Sequence, residues 1–490
     1  MIRLDILAAI LGLMFHATVA LEIDFTSPAS IKNVASDVAY GMMTYYKGNE
    51  SGQIPGNLPP PYYWWECGAM FGTLIDYWYY TGDTTYNDIV LQGMLHQTGS
   101  DDDFMPTNAT SSMGNDDQAF WAMAAMTAAE TNFQNPSQDE PQWLALTQAV
   151  FNEQAGRWDT NTCGGGLHWQ VYTFLSGYHL KNSISNGCFF NIAARLARYT
   201  GNETYALWAN KIWDWTRSIN LMDDLYDVYD NSDENLNCTQ LGRIQWSYNA
   251  GTYLLGAATM FNHTNGSAIW QERTQGVLNR TSSIFFTDGV MTEQACERIN
   301  TCNVDQHSFK AYLARWMAQT TQLAPFTYDT ISALLHSSAV AAAAQCTGGS
   351  SGQACGTKWI DNGTWDGTNG VGQQMSALEA ILGTLIKNTQ TPLTNSTGGT
   401  SSGNPDAGSG AGTQSQPETN SPVKQADKAG AGILTTLVLS GWLAGLWFML
   451  TTKWDEVRDT TTMSEKGKGE RTDRTRRWHK WSRRFRDCDQ

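Results

Sequence analysis

Between Leu21 and about Leu385, apolar residues recur at the three- and four-residue spacing of amphipathic helices, and alternating strand-like runs are almost absent. Phe120, Met123 and Thr127, for example, fall on one face of the same helical stretch. This part of the chain is therefore predicted to be mostly helical.

The helical pattern is interrupted at regular intervals. Residues 80–86, Tyr-Thr-Gly-Asp-Thr-Thr-Tyr, recur 119 residues later as Tyr-Thr-Gly-Asn-Glu-Thr-Tyr. In both copies the glycine can take the left-handed position that ends a helix, and Asp83 or Asn202 can cap the next helix. Similar breaks near Thr264 and Gln322 give a period of roughly 60 residues, which is one helical hairpin with its loops.

Six such hairpins fit between residues 28 and 387. A repeated hairpin either stacks into an open solenoid or closes on itself. Open helical solenoids usually have a tighter repeat of about 34 to 47 residues. We therefore predict an all-α (α/α)6 barrel over residues 21–390, whose inner helices meet at a concave floor.

The two ends of the chain have different patterns. Residues 1–20 combine Arg3, an apolar run and small residues near the end, which predicts a signal peptide. Residues 391–428 are rich in Ser, Thr, Gly and Asn, which predicts a disordered linker. Residues 429–452 are apolar enough to span a bilayer once, and the basic residues 453–490 then fit a cytosolic tail. A GPI-attachment signal is the other interpretation of residues 429–452, but such a signal should end with its apolar stretch.

Sequons and cysteines indicate the secretory pathway. Nine Asn-x-Ser/Thr sequons occur, at Asn49, Asn108, Asn202, Asn237, Asn262, Asn265, Asn279, Asn362 and Asn395. The eight cysteines before the linker are predicted to be paired in an oxidising compartment, with Cys296–Cys302 and Cys346–Cys355 as the two pairs that bracket short loops. No C-x-x-C motif appears, so no metal site is predicted, and the chain calls for no cofactor. The expected location is the plasma membrane or cell wall, with the helical domain outside the cell.

Composition narrows the possible partners. The net charge is −16 at pH 7, which argues against a nucleic-acid partner. Aromatic residues make up 11% of the chain and charged residues only 16%, against about 25% charged in an average domain. Such a surface suits stacking on sugars, although a helical protein that packs its core with aromatic residues has the same composition.

The most informative stretch for chemistry is Asp116-Asp117, which opens a helix whose following residues are nearly all apolar. One interpretation is N-capping, because acidic residues complement the positive end of a helix. The other is an acid and a base side by side, because repulsion between two close carboxylates raises the proton affinity of one. Successive helical residues would place the two carboxyl groups roughly 5 to 7 Å apart, which favours retaining over inverting glycosidase geometry without deciding between them.

Five blocks carry a family resemblance: Asn-Asp-Asp at 115–117, Gly-Gly-Gly-Leu-His-Trp at 164–169, Lys-Asn-Ser-Ile-Ser-Asn-Gly at 181–187, Val-Tyr-Asp at 228–230 and Trp-Ser-Tyr-Asn-Ala-Gly at 246–251. In this order they resemble glycoside hydrolase family 76, and in particular its fungal cell-wall branch of mannan endo-1,6-α-mannosidases. The resemblance implies an (α/α)6 barrel and retaining chemistry on α-1,6-mannosides. By position, Asp116 resembles the nucleophile and Asp117 the general acid/base.

Five further residues are candidates for sugar binding. Trp65, Trp169 and Tyr248 can stack on mannose, but each is equally compatible with a core position. Asp230 and Asn249 are candidates for binding sugar hydroxyls, because the resemblance places their blocks at the cleft. The family often has Arg where this chain has His168, so contacts made by that Arg are not expected here. Fungal members are commonly GPI-anchored, whereas the basic tail favours a membrane helix in this chain.

The sequence thus predicts a cell-surface enzyme that acts on mannan or GPI-core-type mannosides through a covalent mannosyl intermediate. If water resolves the intermediate, the enzyme is a hydrolase. If a sugar hydroxyl of a wall polysaccharide does so, it is a transglycosidase, the activity thought to attach GPI-linked proteins to the wall in the fungal branch. A catalytically inactive mannan-binding surface protein is the alternative from another class, and the intact Asp116-Asp117 pair argues against it.

Overall fold

The computed structural model describes residues 21–361, 363–409, 435–436, 439–444 and 447. The predicted signal peptide and basic tail lie outside the described residues, and the predicted membrane helix is described only in part. No helix among the described residues is both long and apolar enough to cross a membrane. The account below concerns residues 21–409.

Twelve α-helices make up most of this region. They are α1 (Pro28–Met43), α2 (Trp64–Thr81), α3 (Asn87–His96), α4 (Asn115–Thr131), α5 (Trp143–Gly156), α6 (Ser183–Thr200), α7 (Glu203–Ser218), α8 (Ser247–His263), α9 (Ala268–Phe285), α10 (Phe309–Leu323), α11 (Tyr328–Ala344) and α12 (Val371–Gly383). Short antiparallel strands lie in the loops: β1 (Leu180–Asn182), β2 (Asn231–Asp233) and β3 (Leu241–Gly242) form one sheet, β4 (Phe286–Thr287) pairs with β5 (Val290–Met291), and β6 (Cys346–Gly348) pairs with β7 (Ala354–Cys355).

The even-numbered helices form a closed inner ring. Each packs on the next, from α2 through α4, α6, α8 and α10 to α12, and α12 packs back on α2. The odd-numbered helices lie outside this ring, with α5 against α4, α7 against α6 and α9 against α8. Inner helices such as α6 and α10 are buried along nearly their whole length, whereas α7 and α9 bury one face. The predicted barrel of six helical hairpins is confirmed.

The repeated turn also has the predicted form, with one difference. Gly82 and Gly201 end α2 and α6 in the left-handed conformation, with φ of 79° and 70°. Asn202 then caps α7 by accepting a hydrogen bond from the Thr204 amide (3.0 Å). Asp83 accepts the equivalent bond from Thr85 (2.9 Å), but α3 begins only after an intervening turn, so Asp83 is not its cap.

Residues 391–409 differ from the flexible linker that composition predicts. They lie along the barrel wall as a strap, which is the name used below for this segment. The Leu393 amide donates to the Glu130 carbonyl (2.7 Å), and the Ser401 hydroxyl accepts from the Leu144 amide at the start of α5 (3.0 Å). The strap is held mainly by hydrogen bonds rather than by apolar burial, which is why its composition resembles that of a linker.

The cysteines are paired only in part. The predicted Cys296–Cys302 and Cys346–Cys355 disulfides are confirmed, and a third bond joins Cys163 to Cys238. The remaining two cysteines, on α2 and α6, are buried free thiols: Cys67 and Cys188. The prediction that all eight are paired is therefore wrong, because a thiol on a fully buried inner helix packs as a small apolar side chain.

Candidate active site

The N-terminal ends of the inner helices converge on an open cavity of about 300 Å³. Its lining combines aromatic, amide and carboxyl side chains: Trp65, Asp116, Asp117, Phe120, Trp169, Leu180, Asn182, Asp230, Asn231, Trp246, Tyr248, Asn303, Asp305, Gln306 and Phe309. Four of these carry carboxyl groups, and none of the described lining residues is Lys, Arg or His. The positive ends of the helix dipoles point towards this acidic cavity.

The backbone at the start of α4 fixes both carboxyl groups of the Asp116-Asp117 pair. Asp117 accepts a hydrogen bond from the Gly114 amide (2.7 Å), so it does cap the helix, as the simpler interpretation of the sequence proposed. Asp116 Oδ1 accepts from the Asp117 amide (3.2 Å). Capping therefore orients the pair, and both side chains still line the cavity.

Gly114 and the loop that carries Trp169 complete this corner of the site. A Cβ atom on Gly114 would collide with Asp116 Oδ1 and approach Trp169 Nε1, so the absence of a side chain lets the carboxyl group lie against the backbone. The Asn115 amide donates to the Trp169 carbonyl (2.8 Å), and Gly114 pairs with Gln170 as an isolated β-bridge. The Trp169 loop is thereby attached to the first turn of α4.

The two carboxyl groups differ in proton affinity. Burial raises the pKa of Asp116 to about 7, while hydrogen bonds from the backbone, Trp169 and Asn182 oppose the rise. Burial raises the pKa of Asp117 well above its ordinary value, and the neighbouring charge of Asp116, followed by that of Asp305, raises it further. The two groups titrate as a pair, because ionisation of one raises the proton affinity of the other, so the pair can hold an acid beside a carboxylate.

The small β1–β2–β3 sheet positions the next group of polar side chains. Asn182 at the end of β1 pairs with Asn231 on β2, and Asn231 pairs with Gly242 on β3. Asn231 Nδ2 donates to Asp230 Oδ2 (2.8 Å). Burial raises the pKa of Asp230, and its contacts with Asn231, Asn249 and Trp246 offset part of that rise.

The structure brings most of the predicted sugar-binding residues to the cavity. Trp65, Trp169, Asp230 and Tyr248 line it. The Tyr248 ring stacks on Phe309 with centroids 3.7 Å apart, so one of its faces is already covered. Asn249 is fully buried, does not line the cavity and contacts Asp230 from behind.

Several lining residues were not predicted from the sequence, among them Asn182, Trp246, Asp305 and Phe309. Asn182 and Trp246 belong to two of the sequence blocks quoted above, and Asn182 is also the N-cap of α6. Asp305 lies just before a buried helix, α10, as the aspartate pair lies at the start of α4. That shared pattern is the sequence signal that could have identified it.

Behind Trp169, the side chains of Asp159, His168 and Glu234 place their polar atoms within 4.8 Å of one another, a spacing compatible with a metal site. The buried Lys181 ammonium lies 2.9 Å from Asp159 Oδ2 and supplies a positive charge to the same cluster. Burial lowers the pKa of His168, whose Nδ1 lies 2.9 Å from the Tyr178 carbonyl. This cluster supports the Trp169 loop from below.

Comparisons with a family model and with individual sequences agree on one family. The family model of glycosyl hydrolase family 76 matches residues 30–396. The chain is 48% identical over 447 residues to mannan endo-1,6-α-mannosidase DCW1 of Saccharomyces cerevisiae, covering 90% of this chain and 98% of that protein. It is 41% identical over 462 residues to mannan endo-1,6-α-mannosidase DFG5 of Candida albicans, covering 92% and 100%.

Solved structures have the same fold. Dfg5 of Chaetomium thermophilum, crystallised with glucosamine, is 48% identical and superimposes with a TM-score of 0.76 over 79% of this chain and 97% of that one. An inactive variant of the α-1,6-mannanase of Salegentibacter in complex with α-1,6-mannotriose is 20% identical, with a TM-score of 0.58 over 73% and 99% of the two chains. The second likeness supports the fold alone.

Proposed function

Since the chain belongs to glycosyl hydrolase family 76 and is a glycoside hydrolase, we propose that it is an endo-acting, retaining α-1,6-mannosidase or transglycosidase of the fungal cell surface. Its substrates are mannan or GPI-core-type mannosides. Asp116 is the nucleophile and Asp117 the general acid/base. The observation that carries the assignment is that two adjacent, backbone-oriented carboxyl groups line one cavity that contains no cation among its described lining residues.

In the first step the Asp116 carboxylate attacks the anomeric carbon of the mannosyl unit, and an ester bond forms as the glycosidic bond breaks. Asp117 gives its proton to the departing glycosidic oxygen, so the leaving sugar departs as an alcohol. Asp117 suits this step because burial and the charge of Asp116 keep it protonated. The hydrogen bonds to Asp116 hold its attacking carboxylate in place.

In the second step the Asp117 carboxylate removes a proton from an incoming hydroxyl, whose oxygen attacks the same anomeric carbon and releases Asp116. Two inversions in sequence retain the α configuration. Water as the incoming group gives hydrolysis. A sugar hydroxyl gives transfer, with a wall polysaccharide as the acceptor.

The cavity supports a neutral carbohydrate substrate. Its lining combines aromatic rings with amide and carboxyl groups, the combination that stacks on sugar faces and accepts hydrogen bonds from sugar hydroxyls. The described lining contains no cationic side chain to bind an anionic substrate. Because its relatives are named mannan endo-1,6-α-mannosidases, we expect that this carbohydrate is an α-1,6-linked mannan chain.

The location follows from sequence features and three disulfides. Residues 1–20 are a signal peptide, and the barrel with its strap faces the lumen or cell exterior, where disulfides persist. Residues 429–452 anchor the protein as one membrane helix, and residues 453–490 are cytosolic. A phosphatidylinositol-specific phospholipase should therefore leave the protein on membranes. Release by the lipase, with loss of the basic tail from the mature protein, would establish a GPI anchor instead.

The activity is tested by incubating the purified full-length protein with α-1,6-mannan or a GPI-type glycan, with and without an acceptor oligosaccharide. Shortened chains show hydrolysis, and elongated acceptor shows transfer. The Asp116→Asn/Asp117→Asn double variant is the matched control for contaminating glycosidases. Binding of mannan without turnover of any of these substrates would contradict the proposal and would favour the alternative of a mannan-binding surface protein.

A further inference from the structure

Asp305 lies on the cavity wall opposite the Asp116-Asp117 pair. It begins a short 3-10 turn, Asp305–Ser308, that leads into α10. In the closed ring of six inner helices, α10 is diametrically opposite α4, which carries the pair. Rings from these two helices meet in the centre of the barrel, because the Phe120 and Tyr312 centroids are only 4.9 Å apart. A sugar bound against the pair therefore has Asp305 on its other side.

The orientation of Asp305 is fixed through one carboxyl oxygen, and the other remains available. Trp65 Nε1 donates to Asp305 Oδ1 (3.2 Å). The Trp65 ring itself packs on Phe120 at 4.8 Å between centroids, so the donor is held in place. Asp305 Oδ2 makes no hydrogen bond to a described residue, although the side chain lines the cavity. This oxygen can therefore accept hydrogen bonds from a ligand that displaces water from the cavity.

The acidic group behind Asp305 differs from it. Glu66 follows Trp65 on α2, is fully buried, and neither of its carboxyl oxygens has a hydrogen-bond partner among the described residues. Burial raises the pKa of Glu66 well above its ordinary value, and the charge of Asp305 adds to the rise. Burial also raises the pKa of Asp305, but the hydrogen bond from Trp65 offsets part of that rise, whereas no hydrogen bond offsets the rise for Glu66. Of the two groups, Asp305 is therefore the better acceptor.

We propose that Asp305 is a substrate-positioning residue that accepts hydrogen bonds from hydroxyl groups of the mannosyl unit held against Asp116. This contact would fix the sugar ring from the side opposite the attacking carboxylate. The proposal rests on the proposed function for the identity of the sugar, but its geometry requires only that a sugar occupies the cavity. A hydrogen bond between a sugar hydroxyl and a carboxylate is charge-assisted and is among the stronger contacts such a site can make.

The alternative role for Asp305 is to brace Trp65 without touching substrate, and three variants separate the two roles. Asp305→Ala removes the acceptor. Trp65→Phe removes the N–H that Asp305 accepts but keeps most of the ring. Glu66→Gln replaces a buried acid that makes no hydrogen bond to a described residue by an amide of the same shape. It should therefore fold and act like wild type, and it is the matched control for changes in this wall.

The main experiment is equilibrium binding of α-1,6-mannobiose, measured by calorimetry on full-length protein that carries Asp116→Asn to prevent turnover. Adding Asp305→Ala should weaken binding by about tenfold to a hundredfold, the usual effect of losing a hydrogen bond to a charged group. Monodeoxy analogues then identify the bound hydroxyl. In protein that keeps Asp305, the analogue without this hydroxyl should bind more weakly by a similar factor. In the Asp305→Ala protein, the same analogue should bind less than about threefold more weakly than mannobiose, because both changes remove one contact.

The pH profile of the active enzyme provides a second readout. The negative charge of Asp305 helps to raise the pKa of Asp117. Its removal in Asp305→Asn lowers that pKa, so Asp117 loses its proton at a lower pH and the alkaline limb of kcat/KM should move down. The shift reports the negative charge of Asp305 beside the pair in either role, so an unmoved limb would contradict a charged acceptor, while the deoxy analogues separate substrate contact from bracing.

Three results would overturn the proposal. In the first, each deoxy analogue loses as much affinity, relative to mannobiose, in the Asp305→Ala protein as in the protein that keeps Asp305. Another is a Trp65→Phe protein that reproduces the whole effect of Asp305→Ala. The third is unchanged mannobiose binding in Asp305→Ala. Because binding is measured in an inactive background, a failure of the proposed function would appear separately, as a wild-type protein that binds mannosides but does not turn them over.

Discussion

The carboxyl groups that line the cavity have different partners from those buried towards the other end of the barrel. Arg315, near the middle of α10, binds Asp76 (2.7 Å) and Glu379 (2.6 Å) in the C-terminal halves of α2 and α12. Arg195 binds Glu130 (2.6 Å) in the same way between α6 and α4. At the cavity end, Asp116, Asp117 and Asp305 line the cavity without any Lys or Arg among the described lining residues. Their hydrogen bonds come from backbone, indole and side-chain amide N–H groups.

The difference indicates which carboxyl groups belong to the fold and which to the chemistry. A buried carboxylate beside a guanidinium is a structural tie, because removal of either partner leaves an uncompensated charge. Burial raises the pKa of carboxyl groups in both places, Asp76 and Glu379 included. A carboxyl group that faces the cavity without a cation, however, remains available for proton transfer. If this distinction holds, substitutions at the two ends should have opposite effects on activity and stability.

The largest expected effect is on activity at the cavity end. Asp116→Asn removes the nucleophile and should lower kcat by more than about a thousandfold. The free energy of unfolding at pH 7 should not fall, because the substitution removes a carboxyl group that is costly to bury. Steady-state kinetics and chemical denaturation on the same preparation measure both. An Asp116→Asn protein that retains activity but is less stable would reverse the comparison.

At the other end, Arg315→Met should lower the free energy of unfolding by about 3 to 5 kcal/mol, because Asp76 and Glu379 lose their shared cation. The activity of the molecules that remain folded should change little. Lys47→Met is the control: its pair with Glu50 is exposed on both sides and should be worth about 1 kcal/mol or less. Equal losses from the two substitutions, read from denaturant midpoints, would contradict the structural role of Arg315.

The pH dependence of stability tests the desolvation of the pair without any substrate. A raised folded-state pKa means that Asp116 favours folding most below its unfolded pKa near 4, and that this stability is lost as pH rises towards about 7. Asp116→Asn lacks this dependence. The variant should therefore match wild type near pH 4 and become relatively more stable by at most about 4 kcal/mol at pH 7 and above. A difference that shrinks with rising pH would show that the carboxyl group is not desolvated.

A smaller effect is expected from crowding the nucleophile. Gly114→Ala places a Cβ atom against Asp116 Oδ1 and should lower kcat by about tenfold to a hundredfold, because a displaced nucleophile loses its alignment. Gly156→Ala, where a Cβ meets nothing within 4 Å, is the control and should be silent. Unchanged kinetics in Gly114→Ala would mean that the position of Asp116 is not as constrained as the structure indicates.

The smallest effect concerns the strap. Ser401→Ala removes the hydroxyl that accepts the Leu144 amide at the start of α5, and the loss of such a cap costs about 0.5 to 2 kcal/mol. Activity should not change, since the strap lies outside the cavity lining. The exposed Ser396→Ala is the control for side-chain loss in the same segment. If thermal unfolding did not distinguish the two variants, the strap would contribute nothing through this bond.

The sequence predicted the features that depend on local pattern. The helical periodicity and the glycine-terminated turns at Gly82 and Gly201 predicted the hairpins and, from their period, the closed barrel. The aspartate pair stood out because two adjacent acids precede an apolar helix. Each of these signals lies within a few residues along the chain, which is why it could be recognised before the ring was known.

The features that were not predicted arise from closure of the helical ring or from hydrogen bonds of the backbone. Asp305 shares with the pair its position before a buried helix, but only the closed ring, in which α10 is opposite α4, brings it to the same cavity. Asn249 was predicted to face the sugar with Tyr248, yet successive helical residues diverge by about 100°, and Asn249 lies behind the wall. The strap is bound largely through its backbone, whose hydrogen bonds leave no trace in composition.

The central claim is that two adjacent carboxyl groups have separate roles, and the Asp117→Asn variant tests it most directly. With an aryl α-mannoside that carries a good leaving group, the first step needs little protonation and should proceed, while the second step lacks its base. Intact-protein mass spectrometry should show one mannosyl unit accumulating, peptide mapping should place it on Asp116, and azide should release it as the α-mannosyl product. Adduct formation by Asp116→Asn, or an inverted β product from the wild-type enzyme, would contradict the assignment.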